Sequence, residues 1–210
     1  MMPLRRGRGP DVSTDDSLGR VAEQVRGCTR CRLAATRTNA VPGQGDPRAP
    51  LVLVGEAPGR AEDQTGQPFQ GMAGRFLDTQ LALLDLTREQ VFISSVNKCR
   101  PPRNRTPRPD EVAACASYLD RQLALIRPRV VLAMGGTAAA RLHPERTTAM
   151  AKVGELRGQV YPLGPEQALV VTYHPAAAMR FPSQRDPFAA DLQRAAVLAG
   201  LLPQPFSGGR

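Results

Sequence analysis

The sequence predicts a three-layer α/β/α sandwich with a mainly parallel central sheet. Three observations carry that expectation. Runs such as LVLV (51–54) and VVLAM (130–134) are apolar at every position, as strands covered on both faces require. Segments with apolar residues at helical spacing alternate with these runs. Glycine- and proline-rich turns mark the boundaries between them. With 210 residues, 41% hydrophobic and 22% charged, the chain suits one well-buried domain and is unlike a disordered polymer.

In order along the chain, residues 1–16 lack periodicity and are expected to form a flexible arm. The domain is expected over 17–200, opening with a short helix at 17–26 that leads into Cys28 and Cys31. The turns of VPGQGDPRAP precede a first strand at 51–54. A glycine-rich loop over 55–74 opens a helix at 75–84, and a second strand follows at 91–96. The loop 98–108 is rich in proline and arginine, and Pro109, Asp110 and Glu111 then start a helix whose macrodipole favours acids in its first turn. A strand at 130–134, a Gly-Gly turn and an alanine-rich helix come next. Tyr161 and Gln167 flank a hairpin or loop before the strand 169–172, a last helix covers 188–198, and 201–210 reads as a loose tail.

The composition narrows the function. No stretch reaches the roughly 18 uncharged apolar residues of a membrane span, and the N-terminus MMPLRRGRGPDVSTDD has no apolar signal core. A cytoplasmic monomer is expected. The net charge of +9, carried almost wholly by arginine because Lys98 and Lys152 are the only lysines, favours a polyanionic partner such as nucleic acid. Four cysteines without a secretory signal do not suggest a disulfide framework. Cys28 and Cys31 form a C-x-x-C pair, Cys99 lies in NKCRPP and Cys115 on the helix EVAACASYL. All-sulfur ligation permits zinc or an iron–sulfur cluster, and spacing alone does not separate them.

Ligands of such sheets bind beyond the carboxyl ends of the strands. That rule selects Gly55-Glu56, Ser95-Val96-Asn97, Gly135-Gly136 and Tyr173-His174. Glu56, Asn97 and His174 can do chemistry there: a carboxylate to orient or deprotonate water, and an imidazole to donate or accept a proton. The segment GEAPGRAED (55–63) is neither a Walker A loop nor a G-x-G-x-x-G, so nucleotide phosphate binding has little support.

Four motifs in order, CTRCRLAATRTNAVPGQG, GEAPGRAEDQTGQPFQGMAG, NKCRPPRNRTPRPDEVAAC and the HP pair at His174, resemble those of the family 4 uracil-DNA glycosylases, the iron–sulfur members of the uracil-DNA glycosylase superfamily. The resemblance runs from about Cys28 to Leu198. It implies a DNA repair glycosylase that flips uracil from DNA and hydrolyses its N-glycosidic bond. It further implies a structural [4Fe-4S] cluster on Cys28, Cys31, Cys99 and Cys115. Glu56 and His174 become the catalytic pair, with Gly55, Ala57, Phe69, Ser95 and Asn97 around the base and Phe69 stacking on it. The loop 175–180 resembles the segment that enters the minor groove, with Met179 as wedge and Arg180 beside it. Arg100, Arg103, Arg105 and Arg108 are read as phosphate contacts on the loop beside the cysteines.

This chain departs from the family at Ser95, where an asparagine usually reads the uracil edge. Asn97 shares a strand face with Ser95 but stands about 6.6 Å further on, within reach of the pocket only if the strand ends early or bulges. Two alternatives follow: a glycosylase with altered base preference, for hypoxanthine or xanthine, and a non-catalytic iron–sulfur protein that binds DNA.

Overall fold

A computed structural model describes residues 16–144 and 152–204. The arm expected at 1–16 lies outside these except for Asp16, and the tail beyond 204 lies outside as well. Asp16 is anchored: its carboxylate takes two hydrogen bonds from the Arg121 guanidinium, at 2.7 and 2.6 Å.

The elements are α1 (Leu18–Arg26), β1 (Gln44–Gly45), β2 (Leu51–Gly55), α2 (Arg60–Thr65), α3 (Met72–Ala82), β3 (Phe92–Ser95), α4 (Pro109–Ile126), β4 (Val130–Met134), α5 (Gly136–Leu142), α6 (Val153–Leu156), β5 (Val160–Gly164), β6 (Gln167–Thr172), α7 (Pro175–Arg180) and α8 (Arg185–Ala199). The sheet has six strands in the order β1-β3-β2-β4-β6-β5. The four central strands are parallel, and β1 and β5 are antiparallel edges. The all-apolar runs form fully buried β2 and β4. β5 alternates in exposure and carries Pro162, which an edge strand tolerates because it need not donate a ladder bond there.

Side chains alternate between the two faces. Leu51, Leu53, Ile93, Leu132 and Met134 pack on Leu77 and Leu81 of α3 and on Phe188 and Leu192 of α8. Val52, Val54, Phe92, Val131 and Val171 meet Leu119 and Ile126 of α4 and Ala138, Ala139 and Leu142 of α5. A smaller cluster joins Val21 and Val25 of α1 to Leu33, Tyr118 and the cysteines. The register Gly55↔Ser95, Val54↔Ala133 and Met134↔Thr172 brings the carboxyl ends of the four parallel strands to one level.

Three segments differ from expectation. The stretch 55–74 is not all loop: α2 forms within it, and α3 begins at Met72 rather than at 75. Residues 175–180 form a short helix instead of a loop, because Pro175 fits the first helical position and His174 caps it. β3 stops at Ser95. Val96 and Asn97 then donate successive amides to successive carbonyls, Gly55 O (2.9 Å) and Glu56 O (3.0 Å). A parallel ladder directs only every second amide to the same neighbour, so the chain has turned.

Candidate active site

The aligned strand ends enclose a narrow slot. Phe69 and His174 stack with ring centroids 5.8 Å apart and planes inclined by 26°. Behind Phe69 stands Gly55, where a side chain would collide: a Cβ would lie 2.7 Å from Phe69 Cζ. Ser95 borders the same space, its Oγ 3.6 Å from that Cβ position. The Ser95 side chain makes no hydrogen bond among the described residues, and the residue is 6% exposed. Glu56, half-buried, follows Gly55 and accepts a short hydrogen bond from the Thr137 hydroxyl on α5. Ala57 lies beside it, also half-buried.

His174 is positioned and polarised by its place at the start of α7. The Ala176 amide donates to His174 Nδ1 at 3.2 Å. An Nδ1 that accepts carries no proton, so the neutral ring bears its proton on Nε2 and can donate from there. Burial lowers the pKa of this imidazole to about 4, against a smaller opposing pull from Glu62. It is a neutral donor at physiological pH.

Two side chains that the sequence reading did not single out hold Phe69. Phe69 has φ of 53°, in the left-handed region that bulky residues rarely adopt. The Arg88 guanidinium fixes it, donating to Pro68 O at 2.9 Å and Phe69 O at 2.5 Å, while Asp78 accepts at 2.6 and 3.1 Å. Glu62 accepts from the amides of Gly59 (3.0 Å), Gln70 (2.7 Å) and Gly71 (2.9 Å), closing the loop from the other side. Thr137 is a third residue missed. It had a signal: a lone hydroxyl one position past the Gly-Gly turn at a strand end.

Asn97 is not brought to the slot. After the turn its Nδ2 donates to Glu111 O at 3.0 Å, and its Oδ1 is buried without a partner among the described residues. It lines a small chamber together with Cys28, Cys31, Cys99, Cys115, Arg37 and Tyr118. No group of three or more His, Cys, Asp or Glu among the described residues is arranged to hold a single ion. The four thiols nevertheless share one chamber, so the donor set fits a group with several metal centres. Burial pushes the Cys115 thiol up to about 11 and raises Cys99, so these thiols favour their protonated form unless a cationic centre draws the thiolate. Two N–H groups are aimed at sulfur: Arg37 Nη1 to Cys99 at 2.9 Å and the Lys98 amide to Cys115 at 3.3 Å. Lys98 itself is fully buried, and desolvation lowers its ammonium to about 8.

The arginine loop divides. Arg103 and Arg108 are exposed and Arg100 is half-buried, bonded to Asn104 at 2.6 Å. Arg105 is committed elsewhere: it grips the fully buried Glu111 carboxylate with two bonds of 2.7 and 2.8 Å. The Arg105 hydrogen bonds hold the Glu111 carboxyl down to about 2. At the far end of α7, Met179 is half-buried and Arg180 exposed, whereas Phe181, at 48% exposure, is the large apolar side chain presented there.

The fold is that of an α/β enzyme, and its strand ends gather an aromatic ring, an imidazole and a carboxylate. The family model of the uracil DNA glycosylase superfamily matches residues 42–196. The chain is 40% identical over 188 residues to a type-4 uracil-DNA glycosylase of Archaeoglobus fulgidus, covering 88% of this chain and 94% of that one. A type-4 uracil-DNA glycosylase of Sulfurisphaera tokodaii is 42% identical over 188 residues, covering 88% and 86%. A type-5 uracil-DNA glycosylase of Thermus thermophilus is 33% identical over 178 residues, covering 77% and 81%. The chain therefore belongs to the uracil DNA glycosylase superfamily, within its type-4 family.

Proposed function

We propose that this chain is a DNA repair glycosylase that excises uracil by hydrolysing its N-glycosidic bond and leaves an abasic site. The observation that supports this most is the Phe69–His174 slot closed behind by Gly55. Both rings stand at the strand ends, out of reach of a base still paired in a duplex, so the base must be flipped to meet them. Phe69 then stacks on the pyrimidine. As the C1′–N1 bond breaks, its electron pair stays with uracil, and the Nε2–H of neutral His174 donates to the O2 of the departing anion. Glu56, oriented by Thr137, faces the cationic sugar, positions the attacking water and accepts its proton. Donors and charge aimed at what develops only in the transition state accelerate cleavage rather than binding.

Cys28, Cys31, Cys99 and Cys115 would hold a [4Fe-4S] cluster, which supplies a structural tie between the N-terminal segment, the loop after β3 and α4. DNA is bound by the exposed arginines Arg103, Arg108 and Arg180 and the half-buried Arg100, with Phe181 as well as Met179 available to the vacated stack. None of the described helices is long and apolar enough to cross a membrane, and the protein acts as a cytoplasmic monomer.

Oligonucleotides carrying one uracil, hypoxanthine or xanthine, incubated with pure protein and then cleaved with alkali, test the reading. Uracil strands should be cut, and His174→Ala or Glu56→Gln should slow excision by about 100- to 1000-fold while DNA affinity holds. Ser95→Asn should raise uracil excision if an amide at this position improves base reading. Hypoxanthine or xanthine strands cut faster than uracil strands would instead make the free Ser95 hydroxyl the mark of an altered base preference.

A further inference from the structure

We propose that Lys98 is a positioning residue for base reading: its buried ammonium fixes the end of β3 that presents Ser95, and its amide ties that strand end to the cysteine chamber. Lys98 is 1% exposed. Its three ammonium hydrogens meet three acceptors, Ser94 Oγ at 2.6 Å, Ser95 O at 2.8 Å and Gln122 Oε1 at 2.7 Å. None of these is a carboxylate. A buried ammonium whose hydrogens go to neutral acceptors costs desolvation that an apolar side chain of similar length would not, and the neighbouring Cys115 sulfur offsets only part of it, so packing alone gives no reason for a lysine here. What the lysine supplies is direction. Its Nζ grips the main chain of Ser95, the residue whose side chain borders the slot.

The network around it is closed on every side. Ser94 Oγ donates to Gln122 Oε1 at 3.0 Å, and Gln122 Nε2 donates to Pro42 O at 2.6 Å. Val41 N donates to Lys98 O at 2.7 Å, and Lys98 N donates to Cys115 Sγ at 3.3 Å. β3, α4, the 41–42 segment and the chamber thus meet at one residue. From the strand end the coupling continues to the catalytic carboxylate, because the Val96 and Asn97 amides hold the carbonyls of Gly55 and Glu56. A shift of Lys98 moves the base-facing hydroxyl and the water-facing acid together.

The inference rests on the reading of Ser95 as base-facing in a uracil-excising enzyme. Its test uses the cluster-bearing full-length protein and reads single-turnover excision of uracil, DNA affinity, cluster colour per protein and melting temperature. Lys98→Met should lower the excision rate per cluster-bearing molecule by about 10- to 100-fold, the range expected when reacting groups are misplaced by about 1 Å, with DNA affinity unchanged. Gln122→Met should give a smaller loss, and Lys98→Met/Gln122→Met should be no worse than Lys98→Met, because both break one network. A lower melting temperature with an unchanged excision rate, or losses that simply add, would overturn the proposal. If Lys98→Met does not fold, Ser94→Ala and Gln122→Met decide it: excision at the wild-type rate in both refutes a positioning role. A wild type that fails to excise uracil overturns the underlying reading and this inference with it.

Discussion

Gly55→Ala isolates the geometry of the slot from its chemistry, because it removes no functional group. A Cβ at position 55 would lie 2.7 Å from Phe69 Cζ and 3.0 Å from Cε2. Carbon atoms prefer about 3.5–4.0 Å, so the ring must move by about 1 Å. It has no room to retreat. Arg88 holds the Pro68 and Phe69 carbonyls, and α3 presses so close beneath that a Cβ on Gly74 would lie 1.7 Å from Phe69 O. The ring therefore swings across the slot toward His174, whose centroid is only 5.8 Å away. Overpacking of this kind costs about 1–3 kcal/mol, a fall of roughly 2–4 °C in melting temperature per kcal/mol for a domain of this size. Excision should suffer more than stability, by about 100-fold in kcat/KM, while affinity for undamaged DNA holds because phosphate contacts lie elsewhere. Single-turnover kinetics beside thermal melting measure both. Gly55→Ala/Phe69→Leu should recover part of the loss by relieving the collision. Wild-type excision by Gly55→Ala would refute the view that these two residues set the width of the slot.

The proposed cluster predicts a brown wild type that Cys99→Ala bleaches and lowers in melting temperature, since one ligand of four would tie the loop after β3 to the N-terminal segment; a colourless wild type of unchanged stability would count against the cluster. Alanine at Arg100, Arg103 or Arg108 should each reduce the salt dependence of DNA binding by about 0.9 in the logarithmic slope. Arg105→Ala should leave that slope unchanged and destabilise the fold instead, by stranding the buried Glu111 carboxylate. The pH dependence of melting should carry the mark of His174. Its folded pKa of about 4 lies below the ordinary 6.5, so the unfolded chain takes up the proton first and stability falls as pH drops through that window. His174→Asn should flatten the melting curve between those values, leaving the loss that Glu111 contributes from 4.5 down to about 2.

The central sheet could be read from the sequence because burial on both faces leaves its record in unbroken apolar runs. The strand-end rule then placed Glu56 and His174 just past the carboxyl ends of two parallel strands, where the structure has them. α2 escaped because RAEDQT has no apolar periodicity; the segment is organised by Glu62 accepting from backbone amides, a tertiary cause with no local pattern. Arg88 escaped for the same reason, since its partners at 68 and 69 lie some twenty residues upstream. Arg105 was legible as a cation, but its pairing with Glu111 depends on how the loop folds back over the first turn of α4. Asn97 shows the limit of strand periodicity: the i, i+2 rule holds only while the ladder lasts, and here it ends two residues too soon to keep Asn97 beside Ser95.

The scaffold hydrogen-bonds Ser95 only through its main chain: its carbonyl is bonded, while its buried side chain is packed but not bonded. That division makes position 95 a place where a change of similar volume is cheap. Small residues of other polarity can be tried there without breaking a buried hydrogen bond, while the strand that displays them stays fixed. A library of small residues at this one codon should therefore yield mostly folded proteins that differ in which base they release. Divergence of base preference within such a lineage needs no redesign of the frame, only a new word at the end of one strand.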